Sequence, residues 1–369
     1  MNVIVIGLAV LALVAVAGLL LLRRRRSGTA APGAAAAPHP ASGCAAAEPA
    51  PAEPEQTIPP ELAAFSLLHA DDLPDERRAS YVSVFRDVPR PSRLVQQLLS
   101  PDFVNDASSA QLADLIRPEP LLAAKVLAAV NSPLYGLPRP ASGVDEAVVY
   151  LGVNSVRVLC LRYTLSESLR SSRPDCQHLL DTVWSASAMA SELTLRLAQQ
   201  LGLDKRGAMV SAVVLSFLGR LATVACTPAG ILATIPPRSV LQRKAAEQRK
   251  LGLTASEIGR LLMTGWGLPP DLTADAADLD RVLAWTGPMP ERTHGQRLAL
   301  GYLCARLGER LAHGELAQLA DFDLATDPGL ELFHLRRHLG APMAARLRDL
   351  LSAPDLSVAM ERMRGAVTA

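Results

Sequence analysis

The feature that most constrains this chain is its punctuation between residues 112 and 163, where helix stops and helix starts alternate closely. Leu112, Leu115 and Ile116 repeat at helical spacing. Pro118-Glu119-Pro120 then interrupts them, because proline lacks the amide donor and pushes its predecessor out of helical geometry. The same residues start the next helix: Pro120 suits a first helical position, and Glu119 sets negative charge beside the positive end of the dipole. Leu122, Val126, Ala129 and Val130 recur until Asn131-Ser132-Pro133 ends the pattern. Ser142-Gly143-Val144-Asp145 reads as a capping box ahead of Ala147, Val148 and Leu151. Gly152 is a stop able to take a positive φ, and Asn154 is the expected cap of a helix turning Val156, Leu159, Cys160 and Tyr163 inward. Such a segment can only pack as several short helices.

Composition extends that reading to the rest of the chain. Hydrophobic residues make up 49 % of the 369 and aromatics only 4 %, so a large core must be built from Ala, Leu and Val. Strand-like alternation is scarce, and the fold class expected is all-α. The 37 basic and 36 acidic residues leave a net charge of +1, which gives no electrostatic footprint for nucleic acid. The five cysteines are widely spaced, odd in number and without a C-x-x-C pair, as for unpaired thiols in a reducing compartment. Cys160, Cys226 and Cys304 have apolar neighbours and are expected in the core.

Residues 118–165, with Glu119-Pro120-Leu121, Asn131-Ser132-Pro133, Tyr135, Leu151, Gly152 and the later Trp266, resemble the signature of the HDOD family, the HD-related output domain of bacterial signalling proteins. The likeness runs from about residue 88 to about residue 272, with Glu119 where the family usually has Asp. It implies an all-α, HD-like helical bundle related to metal-dependent phosphohydrolases and generally regarded as a non-catalytic signalling module. Pro120, Asn131, Ser132, Tyr135, Leu151, Gly152 and Trp266 are then signature positions of structural character.

The likeness also locates where chemistry would be. An HD phosphohydrolase carries adjacent His and Asp on one helix and a further His on an earlier one, since a metal held for phosphate hydrolysis needs several converging ligands. Here the adjacent pair is Ser216-Phe217, the earlier position is Ala186, and Ala255 stands where the family often has His. Residues 274–280 lack the paired His often found there, and no histidine occurs between His178 and His294. A hydroxyl is a poor substitute for imidazole, phenyl cannot ligate and alanine offers nothing, so a vestigial pocket around Ala186, Ser216, Phe217 and Ala255 with no metal and no cofactor is expected. His334 and His338 have the i, i+4 spacing of two imidazoles on one ion, but Arg336 and Arg337 lie between them and favour a solvated helix face. Asp271, Asp275, Asp278 and Asp280 read as a polar turn and helix start. Arg336, Arg337, Arg346 and Arg348 read as solvated.

Outside this region, Val3 to Leu22 is uninterrupted, uncharged and long enough to cross a hydrocarbon core, and Arg23, Arg24, Arg25 and Arg26 follow directly. The positive-inside rule then predicts an uncleaved anchor over residues 1–26 with everything beyond it cytoplasmic, at a bacterial inner membrane. A signal peptide is the alternative, against which stands the lack of a basic residue before the apolar run. The arginines can also hold anionic head groups, at about 1 kcal/mol each. Residues 27–60, rich in Ala and Pro, read as a disordered tether with a reach on the order of 30–100 Å. Short helices lead in over 61–87, the HDOD-like domain spans 88–290 with one helix expected over about 206–224, and a helical extension spans 291–369, with one or two helices expected over 330–351. Function is read as a membrane-anchored, non-catalytic signalling protein acting on an unidentified protein partner. The alternatives are an HD-type phosphohydrolase and a nucleotide sensor using the vestigial pocket.

Overall fold

The computed structural model describes residues 57–76, 78–79, 90–132, 135–169, 174–236, 239–287 and 292–368. The expected anchor, its arginines Arg23 to Arg26 and most of the tether lie outside these residues. Among the described residues every regular element is a helix. They are α1 (Pro60–Ala63), α2 (Arg93–Leu98), α3 (Pro101–Asp106), α4 (Ser109–Ile116), α5 (Pro120–Val130), α6 (Val144–Leu151), α7 (Val153–Ser168) and α8 (Pro174–Gln200). There follow α9 (Arg206–Ser216), α10 (Leu218–Cys226), α11 (Ala229–Leu232), α12 (Val240–Leu251), α13 (Ala255–Trp266), α14 (Pro270–Asp278), α15 (Arg292–Ala312), α16 (Phe333–Leu351) and α17 (Pro354–Thr368), with single 3₁₀ turns between some of them.

The punctuated segment folds as its breakers dictate, with local differences. Glu119 caps α5 with Pro120 at its first position, and Asn131 ends it. Asn131 then acts at a distance: its side-chain oxygen accepts from the Ala141 amide at 2.6 Å and its side-chain nitrogen donates to the Ala141 carbonyl at 3.0 Å, closing the loop before α6. The capping box over Ser142 to Asp145 does not form. The cap of α6 is Gly143, and it is Glu146 that reaches back to the Ser142 amide at 2.7 Å, because Asp145 is drawn to Arg117 at 2.9 Å. Gly152 adopts φ +80° and separates α6 from α7. Helix α7 already begins at Val153, so Asn154 lies inside it and does not cap it.

The core runs continuously from Leu62 to Met360 and is built mainly of Leu, Val and Ala. Residues 57–369 accordingly form one unit with its own core. Helix α8, 27 residues long, is the central strut, and its most extensive contact is with α15. The helix expected over residues 206–224 is divided at Phe217, where the amide turns back to Val214 and α10 starts afresh. Residues 206–226 are the stretch among those described long and apolar enough to cross a membrane, but 78 % of its apolar window is buried, and core packing accounts for its character. Cys160 and Cys304 are buried as expected, whereas Cys226 is exposed at the end of α10.

Candidate functional site: a buried ion cluster beside the vacant ligand positions

Helices α8, α9, α10 and α13 carry the positions where metal ligands would stand. Ala186 is 1 % exposed, Phe217 3 % and Ala255 6 %. Ser216 is half-buried, and its hydroxyl donates to the Val213 carbonyl at 2.7 Å. Neighbouring helices approach two of these positions closely. A Cβ on Gly308 of α15 would lie 2.5 Å from the Ala186 carbonyl oxygen, and one on Gly219 of α10 would lie 1.7 Å from that of Ala255. None of the four positions expected to form a vestigial pocket lines the larger cavities among the described residues. Among the described residues no three His, Cys, Asp or Glu side chains are grouped to hold an ion.

What adjoins these positions is a network of buried charges. Glu309 of α15 accepts from Arg220 of α10 at 2.6 Å and from Arg243 of α12 at 2.9 Å on both its oxygens. Arg306 approaches it at 2.8 Å as an ion contact, off the hydrogen-bonding line. Asp280 pairs with Lys244 and lies 3.7 Å from Arg306, whose guanidinium also sits over the Tyr302 ring. Glu247 completes the group, 4.0 Å from Arg243 and accepting from the Ala255 amide at 2.8 Å.

The electrostatics follow from burial. Removal from water would raise the Glu309 carboxyl, but Arg243, Arg306 and Arg220 together hold it well below the usual carboxylate range. Asp280 is likewise held low by Lys244 and Arg306 against its burial. Arg220 fares differently. Burial and the like charge of Arg243 outweigh Glu309 and Glu247, and its pKa is lowered to about 10. The cluster ties α10, α12 and α15 and the turn at Asp280 to one another, a cross-linking task that a bound ion performs in a metal site.

Burial contradicts two expectations. Asp280 belongs to the core and not to a polar turn, although Asp271 does open α14. His334 and His338 are not on a solvated face: His334 is buried with its Nδ1 unpartnered, and His338 lies 3.2 Å from the Trp285 carbonyl. Arg336 is half-buried and donates to the Leu324 carbonyl, while Arg348 pairs with Asp323.

The signature residues lie elsewhere. Ser132 and Tyr135 line a cavity of about 210 Å³ between α7 and α8, with Arg162, Tyr163, Glu192 and Met363 of α17. Burial, with a contribution from Glu192, pushes the Tyr135 phenol well above its ordinary value. A second cavity of about 370 Å³ shares Arg162 and Tyr163 and is bordered by Trp184. Trp266 is buried at the end of α13, Leu151 is half-buried at the end of α6, and Pro120, Asn131 and Gly152 shape the backbone as described.

Comparison with known proteins places this architecture. An HDOD protein of unknown function from Geobacter sulfurreducens superposes with a TM-score of 0.54 at 19 % identity, over 78 % of this chain and 97 % of that one. A Shewanella amazonensis SB2B protein whose name proposes a phosphohydrolase gives 0.52 at 17 % identity, over 78 % of this chain and 98 % of that one. A Marinobacter aquaeolei VT8 protein whose name proposes signal transduction gives 0.54 at 18 % identity, over 79 % of this chain and 64 % of that one. At these identities the likeness is one of fold. No curated protein matches the chain. Residues 88–280 match the HDOD domain, more than half of the chain, and the protein belongs to the HDOD family.

Proposed function

We propose that this protein is a non-catalytic signalling adaptor, held at a bacterial inner membrane by residues 1–26 with its HDOD domain on the cytoplasmic side, and that it acts by binding another protein. One observation carries the reading: the buried side chains of Ala186, Phe217 and Ala255 offer no ligand atom. A hydrolase of this fold needs converging imidazoles and carboxylates, and here the charged groups nearby are committed to one another as ion pairs. A protein partner is supported by the exposed apolar side chains Leu121, Val149 and Tyr150 on the mutually packed helices α5 and α6, since exposed apolar surface of this kind marks contact sites. Membrane attachment rests on the apolar run and the four arginines after it.

The test is capture of partners by the intact, membrane-extracted chain, alongside Leu121→Glu and Val149→Glu variants. A specific partner retained by the wild type and lost from both variants supports the reading. A periplasm-dependent reporter active when fused after Pro60 would refute the topology, and metal-dependent hydrolysis of a phosphodiester by the purified chain would refute the adaptor.

A further inference from the structure

None of Leu121, Val149 and Tyr150 borders the cavity of about 210 Å³ between α7 and α8. That cavity leaves far more room than the roughly 10–15 Å³ one water needs. Hydrocarbon forms much of its wall: Leu159 from α7, Met189 and Leu195 from α8, Val210 from α9 and Met363 from α17. Two opposite charges line the same space, Arg162 from α7 and Glu192 from α8, and they do not pair with each other.

Arg162 is half-buried, yet among the described residues it makes no hydrogen bond and no ion pair. Glu192 accepts from Arg196 Nε at 2.6 Å on one oxygen, and its second oxygen accepts no hydrogen bond among the described residues. The hydroxyls of Tyr135 and Ser155 also border the cavity without a hydrogen bond among the described residues, whereas those of Ser185 and Ser191 are turned onto the Asp181 and Ala188 carbonyls of their own helix. On its other side Arg162 borders the larger cavity, where Glu167 pairs with Lys125 at 2.7 Å and Asp181 accepts from Gln177 at 2.9 Å. Polar groups that converge on one hollow without meeting one another are placed for a ligand. Its charge follows from the pair: a lone anion on Arg162 would face Glu192, and a lone cation on Glu192 would face Arg162. A molecule carrying both charges satisfies both walls. The planar guanidinium presents paired donors that match a carboxylate, and Glu192 matches an ammonium. The apolar remainder of the wall calls for a hydrocarbon side chain.

We infer that this cavity binds a free α-amino acid with an aliphatic side chain, its carboxylate on Arg162, its ammonium on Glu192 and its side chain against Leu159, Met189 and Val210. The site is independent of the protein partner proposed above.

The experiment is calorimetric titration of the purified full-length chain with leucine, isoleucine and valine, each beside its deaminated and its decarboxylated analogue. For leucine these are 4-methylpentanoate and 3-methylbutylamine, which keep the hydrocarbon and one charge each. Saturable one-to-one binding of at least one amino acid is expected, tighter than that of either of its analogues by about tenfold, the worth of one charge-assisted pair. Arg162→Gln should erase the preference over the amine, and Glu192→Gln the preference over the carboxylate. A general loss of structure does not give that crossed result, and thermal melts confirm that each variant is folded. No saturable heat with any of the three amino acids, or an analogue that binds the wild type as tightly as its amino acid, overturns the inference whatever the variants do. Amino-acid binding unchanged in a folded Arg162→Gln would place the ligand elsewhere and overturn it as well.

Discussion

Replacing Glu309 by Gln keeps its shape and deletes the charge on which Arg220, Arg243 and Arg306 converge, at 2.6, 2.9 and 2.8 Å. All four groups are largely buried, so water cannot restore what is lost. Breaking a buried pair costs about 3–5 kcal/mol, a large part of the roughly 5–15 kcal/mol that stabilises a typical domain. At about 2 °C per kcal/mol for a unit of this size, the melting temperature should fall by about 6–10 °C. Glu167→Gln, which breaks the exposed pair with Lys125, is the control and should cost less than about 1 kcal/mol. Adding Arg243→Met to Glu309→Gln should recover part of the loss, because it removes one of the stranded cations. Acid titration supplies an independent readout. The folded-state pKa of Glu309 is depressed, so its stabilisation is complete above the unfolded value near about 4.3 and is lost as pH falls through the lower folded one. Glu309→Gln should flatten that acid limb in differential scanning calorimetry. If Glu309→Gln and Glu167→Gln lower the melting temperature equally little, the cluster does not hold the helices together and the reasoning fails.

Three further outcomes follow from the same geometry. His334 is buried with a depressed pKa, so its contribution is present above about 6.5 and lost as pH drops through the lower folded value; the melting temperature should decline as pH falls below about 6.5, and His334→Leu should reduce that slope. Gly219→Ala would set a methyl 1.7 Å from the Ala255 carbonyl and should destabilise by at least the roughly 1–3 kcal/mol of an overpacked core, while Gly230→Ala, with open space around it, should be nearly neutral by circular dichroism melting. Asn131→Ala removes both bonds to Ala141 and should cost about 1–3 kcal/mol in chemical denaturation.

What was legible in the sequence was what neighbours in the chain decide. Pro120, Asn131 and Gly152 mark the ends of α5 and α6 because helix termination depends on groups within one turn. The capping box failed for the opposite reason: Arg117, on the preceding segment, competes for Asp145, and only the fold brings the two together. The ion cluster is the largest omission. Arg220 and Glu309 are 89 residues apart, so no local pattern pairs them. A signal did exist in Arg306 and Glu309, charged residues at i, i+3 within the apolar run of α15, and in Glu247 one turn after Arg243 on α12. Polar side chains placed on the buried face of an amphipathic helix ask for partners. His334 and Cys226 were misplaced because their exposure depends on the packing of α16 against Trp285 and on where α10 ends, neither of which is written in nearby residues.

The central claim is that this HDOD domain has exchanged metal ligands for helix contacts and ion pairs. Its most direct test is the metal content of the purified full-length chain after incubation with manganese, iron, nickel and zinc and exhaustive dialysis, measured by inductively coupled plasma mass spectrometry. Substoichiometric retention of every metal is predicted, unchanged in Ser216→Ala. Stoichiometric retention of one of them, lost in Ser216→Ala, would contradict the account.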